Sequence, residues 1–199
     1  TVAKLSKYLS SIKSDIKVMG IPKTIDNDLV GTDHTPGFGS AAKYIATTVQ
    51  EITRDSQVYS LNSVTIIEIM GRDAGWLTAS TSVLRANGET APHLIYLPEI
   101  PFSPEQFIED IKNAQKEHKA VIVAVSEGIK LSNGNYVASG HLSDSVDVFG
   151  HQYLSGLGKY LENYVKQELK CKVRSVELNV MQRCSSHLAS LTDINEAHD

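Results

Sequence analysis

Six apolar residues in a row, Ala120 to Val125, form the longest uninterrupted apolar run of this chain. Extended, they reach about 20 Å, well short of the ~30 Å hydrocarbon core of a bilayer, so the run reads as a buried strand. Val64 to Ile69 is a second strand of this kind, and Asp15 to Gly20 and Leu94 to Leu97 are shorter ones. Helical patterns separate them. Val2, Leu5, Leu9 and Ile12 share a helical face over residues 1–12. Pro36 stands where a helix starts, and Phe38, Ala42, Ile45, Val49 and Ile52 follow at helical spacing. Trp76 to Ala86 reads as a helix. Ser103 as N-cap, Pro104 in the first turn and Gln106 reaching back as a capping box open another, which runs toward Glu117. Strands alternating with helices predict an α/β fold, a parallel sheet covered on both faces. From Leu131 to Gly158 the alternation is lost. Asn133-Gly134-Asn135 there predicts a turn or hairpin tip, and a helix over about 159–169 follows.

Composition narrows the function. The 199 residues suffice for one ordinary domain or parts of two, and 41% hydrophobic content supports a packed core. The balance of 19 basic against 23 acidic residues gives a net charge of −4, with no basic cluster for nucleic acid. No run is long enough for a membrane span. Cys171 and Cys184 are isolated, which implies neither a zinc knuckle nor a disulfide framework and fits a reduced, cytoplasmic setting. The seven histidines show no HExxH spacing and no pairing with cysteine, so no transition-metal site is expected; His151 is the one to watch. Gly37 to Ala42 matches GxGxxA, but a loop rather than a strand precedes it. Its glycines are read as allowing close packing at a helix start.

The chemistry concentrates in Gly20 to Leu29. A strand-like run feeds into Pro22, Lys23 and Thr24, then Asp26 and Asp28 on either side of Asn27. Ligands of α/β proteins gather beyond the carboxyl ends of parallel strands. A lysine there can hold an anion, and two acids can serve a metal or take a proton. A solvated turn is the competing reading of Asp-Asn-Asp. Arg72, after a strand end and beside Gly71, is placed to meet a phosphoryl group. Glu127 stands two residues past the Ala120–Val125 strand, as a site acid or as a turn acid.

Pro22 to Asp28 resembles the active-site signature of the phosphofructokinase family. Ile69 to Trp76, with Met70-Gly71-Arg72, resembles that family's Met-Gly-Arg segment, Glu127-Gly128 its sugar-binding acid, and Val180-Met181-Gln182-Arg183 its Gln-Arg segment. These blocks stand in the family's order over nearly the whole chain. The resemblance implies a three-layer sandwich of the phosphofructokinase type, partial here, because the family's upstream Gly-Gly-Asp phosphate loop is absent and the chain looks like an internal piece. It implies a division into residues 1–37 (donor domain), 38–181 (fructose 6-phosphate domain, with an insertion over about 131–158) and 182–199 (return to the donor domain).

The activity implied is Mg²⁺-dependent, reversible phosphoryl transfer from diphosphate to the 1-hydroxyl of fructose 6-phosphate. Asp26 would be the base, with Lys23 and Arg72 stabilising the phosphoryl group and Asp28 associated with the metal. Thr24, Ile25, Asp26, Met70, Gly71, Arg72, Glu127, Arg174, Gln182 and Arg183 would line the substrate site. Lys23 favours diphosphate, since ATP-using bacterial relatives usually carry glycine there. ATP as donor and a non-catalytic sugar-phosphate-binding fragment are the alternatives. Ser63 and Val180 depart from residues that the family uses near the sugar. The family's counterpart of Arg174 reaches across a subunit interface, which implies a homodimer.

Overall fold

The computed structural model describes residues 2–58, 60–138 and 156–198. Strands β1 (Ser63–Ile69), β2 (Leu94–Tyr96), β3 (Ala120–Ser126) and β4 (Lys172–Glu177) form one parallel sheet in the order β2-β3-β1-β4. The helices are α1 (Val2–Ser11), α2 (Phe38–Gln57), α3 (Trp76–Ala79), α4 (Val83–Ala86), α5 (Pro104–Gln115), α6 (Leu157–Leu169) and α7 (Leu191–Glu196). The expected α/β sandwich is present. Alternate residues of each strand serve opposite faces. Val64, Ile66, Val121, Val123 and Val125 pack against Phe107 and Ile111 of α5 and Leu161 and Val165 of α6. Ile67, Ile69, Ile122 and Ala124 pack against Ala41, Ile45 and Val49 of α2 and Leu77 of α3. Burying each large aliphatic side chain contributes about 1.5–3 kcal/mol. Among the described residues no helix is long and apolar enough to cross a membrane.

Several elements differ from the sequence reading. Residues 14–24 take no regular structure, and Ile16 (67% exposed), Met19 (88%) and Ile21 (87%) face solvent. A strand needs a neighbour for its backbone N–H and C=O groups, and no described strand lies beside this run. The Trp76–Ala86 run is broken by a 3₁₀ turn at Ser80–Ser82, where the Ser80 and Thr81 hydroxyls donate to the carbonyls of Leu77 (2.6 Å) and Thr78 (2.7 Å). Ser103 caps α5 as expected, but the Gln106 side chain turns forward to Asp110 (2.8 Å), so only half of the capping box forms. The buried stripe of α2 runs Ala41, Ile45, Val49, Thr53, Ser56 rather than through Phe38, Ala42 and Ile52. The Asn133–Asn135 turn is a hairpin tip, closed by Leu131 N–H on the Asn135 carbonyl (2.9 Å). Most of 131–158, His151 included, lies outside the described residues.

The C-terminal segment is tied to the start of α2. Asp193, in the first turn of α7, accepts hydrogen bonds from Gly37 N–H (2.7 Å), Ser40 N–H (2.7 Å) and the hydroxyls of Ser40 (2.5 Å) and Ser190 (2.9 Å). A carboxylate remote in sequence thus caps the N-terminus of α2, where unpaired N–H groups and the helix dipole favour negative charge. His34 and Glu196 bring ligand atoms within 4.8 Å of it, but its oxygens are already engaged by these donors. Burial opposes ionisation of Asp193; the hydrogen bonds outweigh it and hold the carboxyl below the ordinary 3.8.

Asp193→Ala should cost about 2 kcal/mol, read as a lower Tm by thermal denaturation at pH 7. The carboxylate's contribution is fully present above the unfolded-state value near 3.8 and is lost as pH falls through the lower folded value. The Tm gap between parent and variant should therefore close below pH 3.8; a gap that widens there would contradict the capping role.

Candidate active site

The register of the sheet brings the site loops together. Ile69 of β1 pairs with Ser126 of β3, so Met70-Gly71-Arg72 and Glu127-Gly128 leave the sheet side by side. Glu127 N–H donates to the Ile69 carbonyl (2.8 Å), and Gly71 N–H donates to the Glu127 carboxylate (3.3 Å). The buried Ser126 hydroxyl donates to the Gly71 carbonyl. Gly71 has φ +128°, a conformation that other residues rarely adopt. At Gly128 a Cβ would lie 1.7 Å from the Arg72 carbonyl oxygen, so only glycine lets the two loops touch.

The segment after β4 braces this junction. Buried Gln182 accepts from Met70 N–H (3.1 Å) and donates to the Asn179 carbonyl (3.0 Å). Both ends of its amide are thus engaged by backbone, which makes it a strut between loops.

The Lys23–Thr35 loop is anchored twice. Ile25 is buried in the cluster with Ala41, Ile45 and Leu178. Thr35, fully buried, donates through its hydroxyl to the Thr24 carbonyl (2.7 Å) and through its N–H to Asn27 Oδ1 (2.9 Å). Asn27 has φ +55° and takes the turn position, for which its short amide is suited. The turn reading of Asp-Asn-Asp therefore describes Asn27. It does not describe Asp26, which is half-buried.

Burial pushes the Asp26 carboxyl up, and the nearby Asp28 charge adds to it; Arg72, Lys23 and Arg183 pull the other way without prevailing. Burial likewise raises Glu127, opposed by the Gly71 N–H, assisted by Asp26, and opposed again by Arg72 and Arg183. The two acids therefore sense each other and the same two arginines. Among the described residues Arg72 makes no hydrogen bond or ion pair, and its Nε is buried without a partner. Exposed Lys23 and Arg183 line one cleft of about 240 Å³ with Ser40, Ser185 and Ser186. Two acids and three cations near the carboxyl ends of parallel strands form an arrangement that can receive a phosphorylated ligand and exchange a proton with it.

Arg174 does not join them. It pairs with Thr65 in the amino-terminal half of the sheet, where its guanidinium donates to Thr65 (3.1 Å), Asp55 (2.5 Å) and Ser56 (2.7 Å). A contact from Arg174 to the site of its own chain is not made. Sequence reasoning missed the supports: Thr35, Ser126 and Asp193 carry no motif, and the one hint was the glycines at the start of α2, read as allowing close packing.

Gly128→Ala should destabilise the fold by about 3 kcal/mol or more, because the obstructing atom is backbone. Gly134→Ala, with φ +83° but open space around it, should cost only about 1 kcal/mol. Comparison of their Tm values checks this; equal losses would contradict the contact.

The phosphofructokinase family model matches residues 1–194. The chain is 39% identical over 199 residues to the pyrophosphate–fructose 6-phosphate 1-phosphotransferase of Xanthomonas campestris, covering 99% of this chain and 47% of that protein. It is also 39% identical over 183 residues to a sulfofructose kinase of Alkalicoccus urumqiensis, covering 92% of this chain and 46% of that one. The crystal structure of a pyrophosphate-dependent phosphofructokinase from Marinobacter aquaeolei superposes with a TM-score of 0.80 at 34% identity, covering 99% of this chain and 45% of that one. The chain thus spans about half the length of the relatives it matches.

Proposed function

Because this chain belongs to the phosphofructokinase family, we propose that it carries the sugar-side catalytic machinery of a diphosphate–fructose-6-phosphate 1-phosphotransferase. The observation that carries this reading is the convergence of half-buried Asp26 with Arg72, Lys23 and Arg183 at the strand ends. The 1-hydroxyl of fructose 6-phosphate attacks one phosphorus of diphosphate. A bond forms between that oxygen and phosphorus, the bridging P–O bond breaks, and inorganic phosphate leaves. Asp26 takes the hydroxyl proton during attack, and a carboxyl raised by burial is a stronger base for the task than an ordinary aspartate. Arg72 and Lys23 meet the charge on the transferred group, where fixed cations contribute most. Glu127 accepts from a sugar hydroxyl and Arg183 holds the sugar phosphate.

Asp28 supplies an exposed carboxylate whose charge disfavours ionisation of Asp26, so a cation between them would relieve the repulsion. Oxygen donors of this kind, completed by substrate phosphates, suit Mg²⁺. Bound there, Mg²⁺ would neutralise charge on the phosphates. Residues 1–37 and 182–199 belong in this reading to the donor domain, whose Arg183 reaches the sugar phosphate across the cleft, and 38–181 to the fructose 6-phosphate domain. Arg174, remote from its own site, would serve the sugar phosphate of a second copy in a homodimer. Two free cysteines, Cys171 and Cys184, accord with a cytoplasmic enzyme.

In the native enzyme, Asp26→Ser should lower kcat by about a hundredfold or more while fructose 6-phosphate affinity changes little. Turnover equal to that of the parent would overturn the assignment. Lys23→Gly should depress kcat/KM for diphosphate by about tenfold or more and that for the sugar far less. Activity with ATP above that with diphosphate in the unmodified enzyme would reverse the choice of donor. A sulfonated sugar is the second reading of the acceptor, favoured by the likeness to a sulfofructose kinase; a higher kcat/KM with it than with fructose 6-phosphate would establish that alternative.

A further inference from the structure

Arg72 is followed directly by an acid, Asp73, close enough for each charge to influence the other, yet the two make no hydrogen bond. Asp73 is occupied elsewhere. Lys130 Nζ lies 2.6 Å from its Oδ1, and the Tyr136 hydroxyl donates to the same oxygen at 3.1 Å. Lys130 and Tyr136 stand opposite each other at the base of the 131–135 hairpin, bridged through their backbones. The Lys130 ammonium also lies over the Tyr136 ring, 4.8 Å from its centre. The main chain of Arg72 is fixed by the glycine contact, Gly128 lying against the Arg72 carbonyl.

We propose that Lys130 and Tyr136 are positioning residues that hold Asp73 away from Arg72, so that the adjacent carboxylate does not quench the guanidinium meant for a phosphoryl group. The inference rests on the reading of Arg72 as a phosphate ligand. An arginine and an aspartate in sequence can pair, and a free Asp73 would compete with the ligand for the same N–H groups. The hairpin removes the competitor by offering a lysine and a phenol. The Lys130–Asp73 pair is too exposed to contribute much to stability, at 31% and 61% side-chain exposure, and its value here is directional.

The test is calorimetric titration of the native enzyme with diphosphate and with fructose 6-phosphate. Compared would be the parent, Asp73→Asn, Lys130→Met, Tyr136→Phe, the double variant Lys130→Met/Asp73→Asn, and Arg72→Leu. Lys130→Met should weaken diphosphate binding roughly two- to fivefold, the scale of one exposed ion pair. Tyr136→Phe should act in the same direction and less. Asp73→Asn alone should bind as the parent does, and the double variant should recover parental affinity. A hairpin that merely stabilises the fold predicts no recovery, since the double variant lacks the pair as well. Failure of Asp73→Asn to rescue Lys130→Met, or parental affinity in Lys130→Met, would overturn the proposal while leaving the assignment of Arg72 intact. Parental affinity for diphosphate in Arg72→Leu would overturn both.

Discussion

The parallel pairing of β1 with β3, in register from Ser63–Ala120 to Ile69–Ser126, is the constraint on which the site depends. It ends the two strands at one level, so their exit loops must share a small volume. A side chain cannot be accommodated at Gly128, which answers with backbone contact to Arg72, while a Cβ at Gly71 would meet the Ala74 carbonyl of its own loop. Once the loops touch, the Gly71 N–H reaches the Glu127 carboxylate and Arg72 is fixed from its main chain outward. A slip of one strand by one residue would turn its side chains toward the opposite helical layer. Burial of β1 and β3 on both faces makes such a slip very costly, and the geometry of the site is inherited from the core.

Charge placement follows from that geometry. Asp26 and Glu127 lose solvation more than they gain from the arginines, and both carboxyls stand above their ordinary values. Cations arranged only to stabilise the fold would pair with these acids directly. Among the described residues Arg72 is left unpaired, Arg183 and Lys23 are exposed, and nearby carboxylates are turned to other donors: Asp73 to Lys130 and Asp193 to the start of α2. The result is positive potential without a committed partner, which suits an anion that must arrive and leave.

The core strands, the amphipathic helices and the hairpin tip were legible because each depends on a local pattern of apolar period or turn residues. The strand expected over residues 15–20 was not realised; its sequence pattern is real, but a strand exists only through a neighbour. Conversely β4 went unforeseen, since Lys172-Val-Arg-Ser-Val-Glu177 alternates modestly and one end is charged. The motif residues Asp26, Arg72, Glu127 and Arg183 do converge. Arg174 lies toward the opposite end of its strand; the family resemblance sends its counterpart across a subunit interface, so its distance from this chain's own site leaves that expectation untouched. Gln182 holds Met70 by its amide. Thr35, Ser126 and Asp193 act through hydrogen bonds to residues outside their own elements, and no periodicity reports such contacts.

In the proposed mechanism Asp26 faces the reacting hydroxyl while Arg72 and Arg183 hold the phosphoryl and sugar phosphate groups. A crystal structure of the native enzyme with fructose 6-phosphate measures this directly. The account predicts the 1-hydroxyl within hydrogen-bonding reach of the Asp26 carboxylate, about 2.6–3.2 Å. It also predicts a second sugar hydroxyl on Glu127 and the 6-phosphate on Arg183. A sugar bound with its 1-hydroxyl turned away from Asp26, or with its phosphate remote from Arg183, would contradict it.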